Sequence, residues 1–469
     1  MKQLRLSILH GHAVVLMAAL SLPATALGGT RTVGPGKTYA KPCQAIAAAA
    51  AGDVIEIDAS GSYGGDTCAW STDNLTVRGV GGRPKLDISG VSPAQKKGLF
   101  TIAAPNATIE NLEFAGAAIS AGDGNNGAGI RHQGLNLTVR GCYFHDNQNG
   151  ILGAPSTAGM GQVVIEGSEF SHNGAGDGYS HNMYIGNYAG FTLRYSYSHR
   201  GNVGHLVKSR AYQNQILSNR ITDESGGTAS YEIDLPNGGV SLVIGNIIEQ
   251  SATTQNPSML AYGEEGTTGY DTHLYVVNNT FINDRKSGTF VNNATTTPGV
   301  LTNNIFHEAG TVSSQAAAVQ TSNFVSATMG DPMFVSAANF DVHLQAGSPC
   351  IDKGTAPGSG SGQPLTPQTQ YVQPTSSESR GVGGSAIDIG AYEYANPGSG
   401  GGQNDGGSGA PGDGGSGNPT DGGSMAGGCS YERATSAAAQ VPMGSIAVLG
   451  GLLILLARRR SRLPAPPAP

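Results

Sequence analysis

Four short segments between residues 179 and 265 bring together Lys, Arg, His, Tyr, Asp and Glu side chains that could do acid–base chemistry. They are HNMYIG (181–186), GHLVKSR (204–210), SYEIDLP (230–236) and SMLAYGEE (258–265). Their alternation of apolar and polar residues is that of strands with one buried face. With Tyr231, Ile233 and Leu235 inward, Glu232 and Asp234 face outward. Stacking the other segments on this register sends Asn182, Tyr184, Lys208, Arg210, Tyr262 and Glu264 outward, and turns His205 inward beside Val207. Tyr184, Lys208, Asp234 and Tyr262 then form one row with about 4.8 Å between neighbours, flanked by Glu232 and Arg210.

Such a row suits the removal of a proton beside a uronate carboxylate. That proton is a poor acid until arginine or calcium neutralises the carboxylate. A lysine can then act as base if burial or nearby positive charge loosens its own proton. Lys208 is the expected base and Arg210 the neutraliser, with Tyr184 or His205 protonating the leaving oxygen. Asn182, Tyr262 and Glu264 are expected to bind substrate, and Arg131 and His132 to extend the groove one or two coils earlier. Glu232, Asp234, Asp223 and Glu224 are candidate calcium ligands, being hard oxygen donors. Glu232 and Asp234 would also suit a hydrolase, since same-face neighbours lie about 7 Å apart. The competing explanation is a cross-strand ion-pair network on a solvated face, which stabilises little. Only 13% of the residues are charged, so their concentration here favours a functional reading.

The elements that position these groups repeat along the chain. An aliphatic residue, a small residue or Asn, and then an aromatic or Ile recur in IENLEF (109–114), VRGCYF (139–144), VIEGSEF (164–170), ILSNRI (216–221), VIGNII (243–248), VVNNTF (276–281) and LTNNIF (301–306). With Tyr197 as the missing marker, the spacing stays between 24 and 33 residues. Gly, Asn, Asp and Ser clusters separate the markers and supply turns. Several short strands per period of this length fit one coil of a parallel β-helix, and roughly ten coils are expected. Asn219, Asn246, Asn279 and Asn304 each precede a marker by two and could stack as a hydrogen-bonded ladder, or act singly as turn residues. His172 and His199 fall at one corner and are expected to form a stacked surface pair. Asp87 and Asp123 read as turn residues.

Both ends of this region resemble right-handed β-helix proteins of the pectate-lyase-like superfamily. VGPGKTYAKPCQAIAAAAAGDVIEI (33–57) is similar to their opening, with a capping helix over about 43–51, and DPMF (331–334), DVHLQAGSPCID (341–352) and DIGAYE (388–393) to their closing pattern. The resemblance spans about 33–394. It implies an all-β, right-handed parallel β-helix solenoid with a short N-terminal capping helix, and a groove that binds polysaccharide. It does not specify a reaction, because this superfold carries many.

Flanking segments set the expected location. Residues 1–26 read as a secretory signal, with Lys2 and Arg5, an apolar stretch from Ala13 to Leu22, and Ala24-Thr25-Ala26. The β-helix domain is expected over 27–396. Residues 397–428 are Gly/Ser/Asp-rich with no apolar period, as in a flexible linker. The segment 429–469 carries Cys429, an apolar run at 443–457 and Arg458, Arg459, Arg460 and Arg462. It resembles the MYXO-CTERM sorting signal of myxobacterial surface proteins, which implies envelope sorting machinery as a partner; the alternative is a simple membrane anchor. Export permits disulfides, and Cys43 with Cys68 is the expected pair, whereas Cys142 reads as a small core residue. The net charge of −7 argues against a nucleic-acid partner.

Together these features predict an exported, monomeric, carbohydrate-active protein of the cell envelope or outer surface, held there or released. It would cleave a uronate-containing acidic polysaccharide by β-elimination. Epimerisation and hydrolysis are alternatives within catalysis. A surface adhesin or polysaccharide-binding solenoid is the alternative outside it.

Overall fold

The computed structural model describes residues 28–394. The expected signal segment (1–26), linker (397–428) and sorting tail (429–469), with its apolar run, lie outside the described residues. The described chain winds as a right-handed parallel β-helix. Each complete coil contributes one strand to each of three sheets, and with the incomplete coils at the ends the sheets have twelve, ten and ten strands. The twelve-stranded sheet has mostly five-residue strands such as Asn136–Arg140. A tight corner leads from it to a short strand such as Tyr143–His145. A second corner leads to the third sheet, called here the groove sheet.

Short apolar residues at period two let each strand bury one side chain per pair of residues inside the coil. Phe114, Phe144 and Phe170 occupy one inward slot and stack with ring centroids 4.8 Å apart, the distance between coils. Ile221, Ile248, Phe281 and Phe306 continue that buried file. One marker was misplaced by a residue: Ser198, not Tyr197, pairs with Phe170 and Ile221. Tyr197 instead stacks on His199 on the outer side of that sheet, with centroids 3.9 Å apart. His172 and His199 meet edge to face at 6.3 Å.

The asparagine ladder is present. Asn219, Asn246, Asn279 and Asn304 each donate from Nδ2 to Oδ1 of the next, at 2.9 to 3.0 Å, and Asn323 ends the series. Each Oδ1 from Asn246 to Asn323 also accepts the preceding ladder residue's backbone N–H. The ladder thus satisfies corner amides that the sheets leave unpaired. In earlier coils Cys142, Ser168 and Ser196 hold the same position, which accounts for the buried Cys142.

A helix, α1 (Pro42–Ala47), covers the start of the coil with Ala45 and Ile46 buried. The expected disulfide joins Cys43 to Cys68, with Cα atoms 5.6 Å apart. The closing motifs do not add coils. Residues 331–394 contain three antiparallel strand pairs. Phe334, Val342, Leu344, Tyr371 and Ile389 from this segment pack on Ile247, Ile282 and Ile305. They thereby cover the outer face of the short-strand sheet, while the candidate groove lies on another sheet.

Candidate functional site

Seven strands of the groove sheet position the site: β1 (Gly98–Ile102), β2 (Ala128–His132), β3 (Asn149–Gly153), β4 (Met183–Ile185), β5 (Val207–Ser209), β6 (Ile233–Leu235) and β7 (Ser258–Tyr262). Cα pairing defines one file across them: Thr101, Arg131, Leu152, Tyr184, Lys208, Asp234 and Ala261. The expected row Tyr184–Lys208–Asp234 is therefore present. Around it opens a cleft of about 560 Å³ lined by Gly178, Tyr179, His181, Tyr184, His205, Lys208, Arg210, Tyr231, Asp234, Glu264 and Glu265.

Charge in the cleft is tightly paired. Lys208 Nζ lies 2.8 Å from Asp234 Oδ2 and 3.3 Å from Glu265 Oε1. Arg210 donates to Tyr184 Oη at 2.7 Å, Asn237 Oδ1 at 2.7 Å and Glu265 Oε2 at 2.6 Å. Burial alone would raise the Asp234 carboxyl, but His205 and Lys208 outweigh it and hold the group below the usual carboxylate range. Glu264 accepts from Tyr231 Oη at 2.9 Å and from Asn292.

Three rings on successive coils form one wall. His181 and His205 have centroids 4.4 Å apart, and His205 meets Tyr231 edge to face at 4.9 Å. His181 Nδ1 accepts the His205 backbone N–H at 3.0 Å, so the proton of the neutral ring sits on Nε2. His205 Nδ1 lies 3.0 Å from Asp234 Oδ2, where its N–H can stabilise that carboxylate and leave Nε2 unprotonated. Burial lowers both imidazoles below their ordinary value; for His181, His205, Lys208 and Arg210 add to the effect. Both rings are therefore neutral near pH 7, and each turns into the cleft. A neutral imidazole beside two cations can exchange a proton with a bound molecule whose developing negative charge the cations stabilise.

Several expected placements change. Tyr262 points into the core, fully buried, and its hydroxyl donates to the Gly239 carbonyl at 2.6 Å. The reason is register: Leu260 and Tyr262 are the inward pair of β7, and Ala261 takes the outward slot opposite Asp234. His205 and Tyr231, expected inward, both line the cleft. They precede three-residue strands, and strand alternation does not carry through the corners. For the same reason Glu232 is fully buried instead of outward. Asn182 is buried at a corner, where it accepts from Asn173 Nδ2 and donates to the His199 carbonyl. His132 is also buried, with Nδ1 2.7 Å from Tyr188 Oη, and burial pushes it down to about 4. Arg131 is half-buried on the outward file. Glu264 reaches the cleft from the turn after β7.

The four carboxylates named as calcium ligands do not converge. Asp234 belongs to the cleft. Glu224 is held by Tyr197, Arg200, His199 and Arg220. Asp223 and Glu232 lie with Glu249 in a buried acid cluster, where both Glu232 oxygens, Asp223 Oδ1 and Glu249 Oε1 have no hydrogen-bond partner. Burial and mutual repulsion raise Glu232 well above the usual range, while burial first pushes Asp223 up to about 7 and Glu249 to about 8. Among the described residues no group of three or more His, Cys, Asp or Glu is arranged to hold a metal ion.

His181, Tyr179, Glu265 and Asn237 are site residues that sequence reasoning missed. A signal for His181 existed: His181, His205 and Tyr231 each stand two residues before the first inward residue of a rung (Met183, Val207, Ile233). Reading that column as one corner would have brought the three rings together.

A family model described as "Right handed beta helix region" matches residues 61–229. Among solved structures, one described as pectate lyase Pel9A is similar, with a TM-score of 0.47 and 14% identity, covering 78% of this chain and 96% of that one. No curated protein matches the sequence.

Proposed function

We propose that the cleft around Lys208 cleaves a uronate-containing polysaccharide by β-elimination. The observation that carries this reading is the convergence of Lys208, Arg210 and two neutral imidazoles in one open cleft on the outer face of the groove sheet. The paired cations suit the substrate carboxylate, whose charge must be offset before the neighbouring C5–H can ionise. Lys208 was the expected base. A base needs a free lone pair, however, and Lys208 Nζ is engaged by two carboxylates. His205 Nε2 fits the base role better. Proton removal from C5 forms the C4=C5 double bond, and the C4–O bond breaks. The leaving oxygen takes a proton from Tyr184, whose hydroxyl Arg210 orients.

A second reading, hydrolysis, is favoured by the carboxylates of Asp234, Glu264 and Glu265 around the same cleft. The test is incubation with alginate, pectate and glycosaminoglycans, with and without calcium, following ultraviolet absorbance and reducing ends. Elimination gives both signals. New reducing ends without absorbance select hydrolysis, and binding without either signal selects a non-catalytic surface solenoid. The segments that bear on envelope attachment lie outside the described residues, so secretion and sorting rest on the sequence alone.

A further inference from the structure

Among the described Lys and Arg side chains that are buried or half-buried, Arg131 alone has neither a hydrogen-bond nor an ion-pair partner among the described residues. Its Nε is closed off from solvent and unpaired. A guanidinium held this way has lost water without gaining a partner, which is costly unless a ligand supplies one. Beside it lies a second cation with no carboxylate. Lys97 is half-buried, and its ammonium reaches only Gln133 Oε1, at 3.3 Å. Gln133 continues the ladder one residue past β2, its N–H donating to the Ile102 carbonyl, and so shares the outward face of Arg131; Gly98, next to Lys97, packs directly against Arg131.

Arg131 and Lys208 belong to the same outward file, separated by the Leu152 and Tyr184 rungs. Three rungs span about 14 Å. The intervening side chains bear no charge. Beyond Asp234 the cleft carries Glu264, which pairs with no cation among the described residues, while Glu265 is already engaged by Lys208 and Arg210. The groove is therefore polarised along the coil axis, cationic toward the N-terminal cap and anionic toward the C-terminal coils.

We propose that Arg131 and Lys97 form a second carboxylate subsite, so that an acidic oligosaccharide lies along the coil axis from Lys208 toward the N-terminal cap. This rests on the saccharide reading of the cleft and adds the direction and length of the ligand. Arg131 supplies a planar fork able to hold a carboxylate through two hydrogen bonds, and Lys97 adds a point charge. At the other end, Glu264 repels a uronate.

Calorimetric titration of the intact protein with trisaccharides and hexasaccharides of galacturonate and of alginate tests the subsite without relying on turnover. The hexasaccharide of the bound series should bind at least about tenfold more tightly than the trisaccharide. Arg131→Ala should remove that advantage and leave trisaccharide affinity unchanged. Lys97→Ala, at a position with one weak contact, should reduce the advantage and keeps the test open if Arg131→Ala does not fold. Equal affinity for both lengths in the parent protein, or an advantage that survives both substitutions, overturns the subsite while sparing the saccharide reading. Failure of every oligosaccharide to bind overturns both.

Discussion

Replacing Glu249 by Gln should make the protein more stable, by an amount that grows with pH. Glu249 is fully buried. Its Oε2 accepts the Glu224 backbone N–H at 2.6 Å, and its Oε1 has no partner. Burial, with Asp284, Asp223 and Glu224 nearby, raises the carboxyl to about 8 from an ordinary 4.5. Ionising it in the fold therefore costs about 5 kcal/mol more than in the unfolded chain. The folded chain binds the extra proton between about pH 4.5 and pH 8. Stability must fall as pH rises through that window and level off above it. Glutamine keeps an oxygen for the Glu224 amide but has no proton to lose. Thermal and urea unfolding should show little difference at pH 5, a gain of about 3 kcal/mol at pH 7, and about 4 kcal/mol at pH 8. A difference that does not change with pH, or a variant less stable than the parent at pH 8, would refute the account of the acid cluster.

Asn246→Ala removes the acceptor of the Asn219 N–H and Nδ2 and the donor to the Ile216 and Ile244 carbonyls. Orphaning these buried groups should cost about 3 kcal/mol or more in urea unfolding; a loss under 1 kcal/mol would show that the ladder is ornamental. Lys208→Met should lower turnover by at least about a hundredfold while thermal unfolding stays cooperative, and retained turnover would remove Lys208 from the mechanism. Because burial holds His205 below its ordinary 6.5, the neutral base persists below that pH. Turnover should stay level from neutral pH to below 6.5 and fall only in more acidic solution; a fall already under way at pH 7 would argue against His205 as base.

The coil was legible because its determinants are local and repeated. Asn219, Asn246, Asn279 and Asn304 sit at fixed offsets from apolar markers, and one residue type at one corner satisfies the same amides in successive later coils. The Tyr184–Lys208–Asp234 row was legible for a related reason, since alternation inside a strand fixes the outward face. Alternation stops at corners, however, and the strands β4, β5 and β6 are only three residues long. His205, Tyr231 and Glu232 lie in those corners, and all three were assigned the wrong side. Tyr262 was misassigned inside a strand, because Met259, Leu260 and Tyr262 are all apolar enough to be buried and the phase of β7 was ambiguous. Glu265 belongs to a turn whose path depends on its contacts with Lys208 and Arg210. The antiparallel pairs of residues 331–394 lie against Ile247, Ile282 and Ile305, side chains far away in sequence that no local pattern connects to them.

The structure of the protein bound to a uronate oligosaccharide tests the central claim most directly. The account predicts one uronate carboxylate at Lys208 and Arg210, with its C5–H directed at His205 Nε2 and the chain running toward Arg131. A sugar seated on another face, or one in this cleft with its C5–H turned away from both His205 and Lys208, would contradict it.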